Sequence, residues 1–437
     1  MLQSSFPTMK TIMRIWQKKS VRDALCLDRV SNMPSACARK RAFGVALHNE
    51  KDAASSAEGE GLLPGSALCL KPRHLTADRV QNVTTEKNSP VDNGSLDAFG
   101  GWSGVLSDLV AGVDLTPAAA RAALGAILRG EATDAQVAGF IIALGMKGGS
   151  VLELTGLVEA MMDAASPLNV PDGTIDIVGS GGAPARRRHA LSVSTMAAFV
   201  ASAAGAVVCK HGSVAASSSS GSFDTLGALG LVIDLDGKQV ERCVTDVGLG
   251  FAFAKNFHPA MRFVGPVRSE LGVPTTFNFL GPLSHPGGVK RQVVGVSDPT
   301  MAPRVAGVLA ARGSEHALVV HGGDRLDEIT TTDLTRIYEV RDGEVVGDTE
   351  FDPESIGIPR VNRSQIQGGT PEDNATIMRD LFEGADNGPR ADIVALNAAA
   401  GLLVAGLVED LASGVDAAKD VMSNGGAANK LTEVIDV

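Results

Sequence analysis

A change of hydrophobic period near Pro167 restricts the fold more than any other feature of the chain. Beyond it, short apolar runs alternate with helical stretches: strands at 175–178, 206–209, 292–296 and 317–320, and helices at about 194–204, 302–311 and 393–407. Strands alternating with helices build an α/β domain around a mainly parallel central sheet. Residues 335–340 and 345–346, separated by Asp342 and Gly343, read as a hairpin at the sheet edge. Before Pro167 the period is helical throughout. Leu106, Leu109 and Val110 form one short apolar face. Thr116-Pro117 starts a second helix buried through Leu124, Ile127 and Leu128. Thr133 with Gln136, and Ser150 with Glu153, make capping boxes ahead of apolar stripes at Val137, Phe140, Ile141 and Leu144 and at Leu154, Leu157, Val158 and Met161. This is a small helical domain, residues 99–168, followed by an α/β domain, 169–437. No internal repeat is evident.

The 437 residues are 44% hydrophobic, enough for a large core without disulfide or metal staples, and this excludes a mainly disordered chain. Residues 393–407 are the longest apolar stretch, shorter than the roughly 20 residues that span a bilayer and interrupted by Asn397. No membrane association is expected. The five cysteines have no metal-site spacing and an odd number, so a reduced, cytoplasmic protein is the expectation. Charge is uneven. The first 49 residues hold nine Lys/Arg against two Asp/Glu, whereas the remainder holds 30 against 48. An acidic body argues against nucleic-acid binding. The basic head, with the Ala/Ser/Gly-rich stretch 50–98, reads as an extension and linker, or as sequence added by an upstream start. An organelle transit peptide is the alternative.

Three segments carry candidate chemistry at strand ends, where open α/β sheets bind ligands. The first is Gly179, Ser180, Gly181 and Gly182, leading to Ser192, Val193, Ser194 and Thr195 at a helix start. Glycines admit a phosphate close to the backbone, and helix N-terminal N–H groups can bind it. The second is Lys210, His211 and Gly212, placed directly after the strand ending at Cys209, with the hydroxyl-rich run Ser217, Ser218, Ser219, Ser220 and Ser222. Two such cradles suit a ligand with a pyrophosphate and a sugar phosphate. The third is Asp327-Glu328, a pair suited to Mg²⁺, which takes few protein carboxylates and keeps water and phosphate oxygens. Together they describe a Mg²⁺-dependent enzyme acting on a phosphorylated sugar diphosphate.

These segments, with others in order along about residues 102–437, resemble the anthranilate phosphoribosyltransferase family. The resemblance rests on Asp176-Ile-Val-Gly-Ser-Gly-Gly, Ser192-Val-Ser-Thr, Lys210-His-Gly, Phe257-His-Pro-Ala-Met261, Pro266-Val-Arg268, Phe277-Asn-x-Leu-Gly-Pro282, Leu326-Asp-Glu328 and Leu396-Asn-Ala-Ala399. It implies the nucleoside phosphorylase type of fold, a homodimer, and a helical domain completed by residues near 256–285. It also implies transfer of the phosphoribosyl group from phosphoribosyl pyrophosphate to the amine of anthranilate, in tryptophan biosynthesis. By the same resemblance, Gly179, Gly181, Gly182, Ser192, Val193, Ser194, Thr195, Lys210, His211, Gly212, Ser217, Ser218 and Ser222 would bind the donor. Mg²⁺ would be held by Ser194, Asp327 and Glu328. Gly179, Ser213, His258 and Arg268 would face anthranilate, with Arg268 pairing with its carboxylate. Lys210 and Arg268 would be the catalytic cations.

The chain departs from the family pattern at Ala183, where an aspartate is usual, at Ser192 and Ser213, where asparagines are usual, and at Val214 and Gly145, where arginines are usual. Each lost polar contact costs roughly 0.5–1.5 kcal/mol. An insert, Arg186-Arg187-Arg188, could offset this by adding positive charge near the diphosphate. The alternatives are a paralogue with another aromatic or nucleobase acceptor and a catalytically weakened ligand-binding relative.

Overall fold

The computed structural model describes residues 95–181, 191–214 and 221–437. The basic head and the Arg186–Arg188 insert, together with Gly182, Ala183, Ser217 and Ser218, lie outside the described residues. Helices Gly101–Val110, Pro117–Leu128, Asp134–Lys147 and Val151–Asp163 come first. Their starts follow the local chemistry read from the sequence. The Thr116 hydroxyl accepts the Ala119 N–H, and the Thr133–Gln136 and Ser150–Glu153 boxes are both formed. All the buried positions expected on the second, third and fourth helices are buried, but Val110 is exposed and Val105 takes its place. Val110 is the last residue of its helix, beyond the turn that meets the neighbouring helices.

A seven-stranded sheet follows, comprising β1 (Ile175–Gly179), β2 (Val208–Gly212), β3 (Leu249–Phe253), β4 (Arg291–Gly295), β5 (His316–Gly322), β6 (Thr335–Arg341) and β7 (Glu344–Phe351). The order is β3-β2-β1-β4-β5-β6-β7, with β1 to β5 parallel and the β6–β7 hairpin antiparallel at one edge. The chain grows outward from β1 to β3, then returns to β4 beside β1. That reversal opens a crevice beyond the carboxyl ends of β1 and β4.

β3 was not anticipated, and its presence corrects the reading of β2. Lys210, His211 and Gly212 do not follow the strand; they belong to it, paired with Phe251, Ala252 and Phe253. Without a recognised partner strand, the sequence offered no reason to extend β2 past Cys209. β5 likewise runs on through His321 and Gly322.

One core packs the helix Val193–Ala203 and the long helix Pro389–Ala405 against one face of the sheet. The other is continuous from the first helices through Val264, Val267, Phe277, Leu280 and Leu283 to β4, β5 and the helix Ala302–Ala311. Segment 256–285 therefore shares its core with the N-terminal helices. Among the described residues, no helix is long and apolar enough to cross a membrane.

Glu153 locks the helical part together. Fully buried, it accepts N–H bonds from Leu115 at 2.9 Å and Ser150 at 2.8 Å and pairs with Lys147 Nζ at 2.7 Å; Lys147 also contacts Asp114. Removing one partner of a buried pair strands the other. Glu153→Ala is expected to lower the unfolding free energy by about 3–5 kcal/mol in urea titrations, and Glu153→Gln, which keeps one of the two acceptor oxygens, by less.

Candidate functional site

A cavity of about 790 Å³ occupies the crevice beyond β1 and β2. From the α/β side it is lined by Gly179, Gly181, Ser192, Ser194 and Asp327, and by β2 and its continuation through Lys210, His211, Gly212 and Ser213, with Ser222 at the next helix start. His258 and Arg268 face it from the segment packed on the N-terminal helices. The structure thus gathers residues from across the chain that the sequence had named separately. Val193 and Thr195 do not line this cavity: both are buried, and their N–H groups bond Leu191 and Ser192 carbonyls. Glu328 is buried beside Asp327 and is likewise outside the lining.

The floor is set by a close approach. Asp327 crosses over the paired ends of β1 and β4, Gly179 opposite Gly295. A Cβ on Gly295 would lie 1.8 Å from the Asp327 carbonyl oxygen, and one on Gly179 would lie 2.4 Å from its Oδ2. Only glycine fits at either position. So placed, Asp327 Oδ2 accepts the Gly181 N–H at 2.9 Å. Asn397, buried in the long helix, clamps the next turn: its Oδ1 accepts the Ile329 N–H and its Nδ2 donates to the Ile329 carbonyl. Gly295 was missed in the sequence; a glycine closing an apolar strand was its only signal.

Asp327 and Glu328 form a hard, oxygen-only donor pair, and among the described residues no three His, Cys, Asp or Glu side chains cluster as a closed metal cage. That combination fits Mg²⁺, which draws its remaining ligands from water and substrate oxygens.

Lys210 is almost fully buried and donates from Nζ to the Ile177 carbonyl at 2.6 Å. Asp176, also buried, accepts the His211 N–H at 3.2 Å. Burial raises the Asp176 carboxyl to about 7, and the nearby Lys210 charge opposes that rise. The lysine is therefore anchored in the sheet at the cavity floor, not carried on a mobile loop. Ser192 commits its hydroxyl to Thr225 Oγ1 at 2.8 Å, tying two helix starts together.

Arg268 is partly buried and has no carboxylate partner among the described residues; burial lowers its pKa. Its Nη2 donates to Asn278 Oδ1 at 3.2 Å, and Asn278 Oδ1 also accepts the Thr275 N–H, so the guanidinium is held but not neutralised. Beside it His211, His258 and His285 cluster, with ring centroids 5.2 and 5.8 Å apart. His258 Nε2 donates to the Ser284 carbonyl, and His285 Nε2 donates to the Cys209 carbonyl while its Nδ1 accepts the Gly287 N–H. With one ring nitrogen donating and the other accepting, His285 is a neutral imidazole by these contacts. Burial lowers all three pKa values, His285 to about 4.

Both halves match glycosyl transferase family profiles: the helical bundle domain over residues 103–165 and the a/b domain over 172–428. The chain belongs to this glycosyl transferase family. A relative from Arthrobacter sp. (strain FB24), an anthranilate phosphoribosyltransferase, is 44% identical over 75% of this chain and 93% of its own length. Another from Nocardioides sp. (strain ATCC BAA-499 / JS614) is 46% identical over 76% and 96%. The crystal structure of the Thermus thermophilus enzyme superposes with a TM-score of 0.72 at 38% identity, covering 76% of this chain and 98% of that one. A Saccharomyces cerevisiae enzyme solved with PRPP and Mg gives 0.67 at 26%, covering 78% and 97%. Within the glycosyl transferases, this chain is a member of the anthranilate phosphoribosyltransferase family.

The buried histidines carry a pH signature. His285 has a folded pKa below its unfolded value, so below about pH 6.5 the unfolded chain binds the extra proton. Its contribution is complete above that pH and is lost as pH falls toward 4, by about 3 kcal/mol in all. Chemical denaturation at pH 7.5 and pH 4.5 is expected to show a smaller loss of stability on acidification for His285→Gln than for the wild type.

Proposed function

We propose that this chain transfers the 5-phosphoribosyl group of phosphoribosyl pyrophosphate to the amine of anthranilate, releasing pyrophosphate, as a step of tryptophan biosynthesis. The carrying observation is that one cavity presents an unneutralised Arg268 together with the glycine loop and Asp327. An aromatic carboxylate suits the first, and a sugar diphosphate suits the second. In this reading residues 99–168 with 256–285 present the acceptor, residues 169–437 hold the donor, and the protein works as a homodimer. The exposed apolar side chains Val110, Met146 and Leu152 on the N-terminal helices support that last point.

The donor lies along Gly179, Gly181, Ser192 and Ser194 and along Lys210, His211, Gly212 and Ser222. Asp327 and Ser194, with Glu328 buried beside them, would hold Mg²⁺, which when bound would neutralise charge on the diphosphate. Arg268 orients anthranilate by its carboxylate, with Ser213 and His258 beside the ring, so that its neutral amine meets C1 of the ribose. The C1–N bond forms as the bond from C1 to the pyrophosphate oxygen breaks, and the nitrogen gives up a proton. His258, whose Nε2–H is committed to Ser284, presents an unprotonated Nδ1 suited to accept it. Lys210 adds fixed positive charge under the cavity floor. Catalysis is then positioning and electrostatic stabilisation, without a covalent intermediate.

Steady-state kinetics on the full chain test this. Arg268→Ala is expected to raise KM for anthranilate about 10- to 100-fold while KM for phosphoribosyl pyrophosphate changes little. Failure of the wild-type chain to support growth of a tryptophan auxotroph, or equal weakening of both substrates in the variant, would overturn the assignment.

A further inference from the structure

A second cavity, of about 620 Å³, opens beside the first, and Gly181 and Asn278 line both. One wall is the helix Asp134–Lys147, where Gly145 leaves open space: a Cβ there would meet nothing within 4 Å. The lining also carries two arginines, Arg325 and, against the helix C-cap Gly148, Arg304. Among the described residues neither has a carboxylate partner, and Arg304 Nη1 reaches only the weakly accepting Sδ of Met301 at 3.6 Å. The lining has one acid, Asp298, whose Oδ1 is already occupied by the N–H and hydroxyl of Thr300. Thr275 also lines this space, and its buried hydroxyl has no hydrogen-bond partner among the described residues. The cavity lining therefore carries the two positive charges of Arg304 and Arg325 against the single negative charge of Asp298.

Arg325 is also unusual in its backbone. Its φ is +67°, a left-handed conformation that glycine takes at less cost. The turn is held by its N–H on the Gly322 carbonyl and by the Leu326 N–H on Asp324 Oδ1. A strained arginine at a cavity wall points to a role for the side chain.

Position decides which anion. Arg325 stands two residues before Asp327, and Gly181, which bonds Asp327, is one of the two residues the cavities share, Asn278 being the other. On the reading above, which this inference rests on, that is the diphosphate end of the donor. The leaving group is multiply charged, and the body of the protein is acidic, so departure without a cationic path is opposed by long-range repulsion. We propose that the second cavity receives inorganic pyrophosphate as it leaves the reaction cavity, with Arg304 and Arg325 as its cationic contacts.

Calorimetry on the full chain tests this with inorganic pyrophosphate as the probe. With phosphoribosyl pyrophosphate saturating the first cavity and no acceptor present, the wild type is expected to bind one further pyrophosphate. Arg304→Gln and Arg325→Gly are each expected to weaken that binding about tenfold, and the double variant more. Because glycine relieves the backbone at 325, thermal stability of Arg325→Gly is expected to hold or rise, which separates lost binding from lost folding. Absence of the second uptake, or unchanged uptake in the double variant, overturns the proposal. Should the donor itself fail to bind, the functional reading falls, and the pyrophosphate difference between wild type and double variant still decides this one. A KM for anthranilate that rises in step with pyrophosphate weakening would instead mark the cavity as part of the acceptor path and overturn it.

Discussion

The contact between Asp327 and the paired ends of β1 and β4 sets the spacing of everything around it. Backbone meets backbone there at a separation that no side chain survives, since a methyl group on Gly295 would overlap the Asp327 carbonyl. The acid consequently lies against the sheet, where it receives the Gly181 N–H and becomes one unit with the glycine loop. Asn397 closes the arrangement from behind, using both its amide groups on Ile329 and a further bond to the Ile393 carbonyl. A buried asparagine in an otherwise apolar helix would be costly without those partners. It converts a loop position into one fixed by the long helix Pro389–Ala405.

Local rules were the most readable part of the sequence. Capping boxes join residues three apart, so Thr133–Gln136 and Ser150–Glu153 could be named from spacing alone. Short apolar runs between helices located β1, β4 and β5, and the Asp342-Gly343 turn located the edge hairpin. β3 escaped because Leu-Gly-Phe-Ala-Phe is a short apolar run with a glycine inside, a pattern that carries no period. Losing it placed Lys210 and His211 on a loop, whereas cross-strand pairing makes them sheet residues with buried side chains. The histidine cluster was illegible for a different reason. His211, His258 and His285 come from three segments, and only the packing of 256–285 over β2 brings their rings together. Nothing in spacing marks His285 as the residue whose ring nitrogens bond both Cys209 and Gly287.

Charge is distributed against the average of the chain. A protein with formal net charge −11 lines its two adjoining cavities with Lys210, Lys255, Arg262, Arg268, Arg304 and Arg325, against Asp327 and Asp298. A surface acidic elsewhere and basic in one crevice favours entry of anions there over adsorption at random sites. It also makes the placement of each acid informative. Asp298 Oδ1 is hydrogen-bonded within its own turn by Thr300, whereas Asp327 and its neighbour Glu328 lie side by side and buried.

The departures from the family pattern take on physical meaning in this setting. Ser192 is shorter than the usual asparagine, and its hydroxyl ties the start of Val193–Ala203 to Thr225. Ser213 and Val214 are exposed at the cavity, where shorter or apolar side chains leave room and remove donors. What persists is backbone: the Gly179–Gly181 turn and the helix starts at Val193 and Ser222. Main-chain N–H groups present the same geometry whatever side chain they carry, and a helix N-terminus favours negative charge without a lysine or arginine. The N–H groups of Gly181, Val193 and Thr195 are already bonded to Asp327, Leu191 and Ser192, so the preference that remains at these positions is that of the helix dipole. On the proposed reading, specificity for the acceptor would rest on the single guanidinium of Arg268 and on Asn278, which holds it in place.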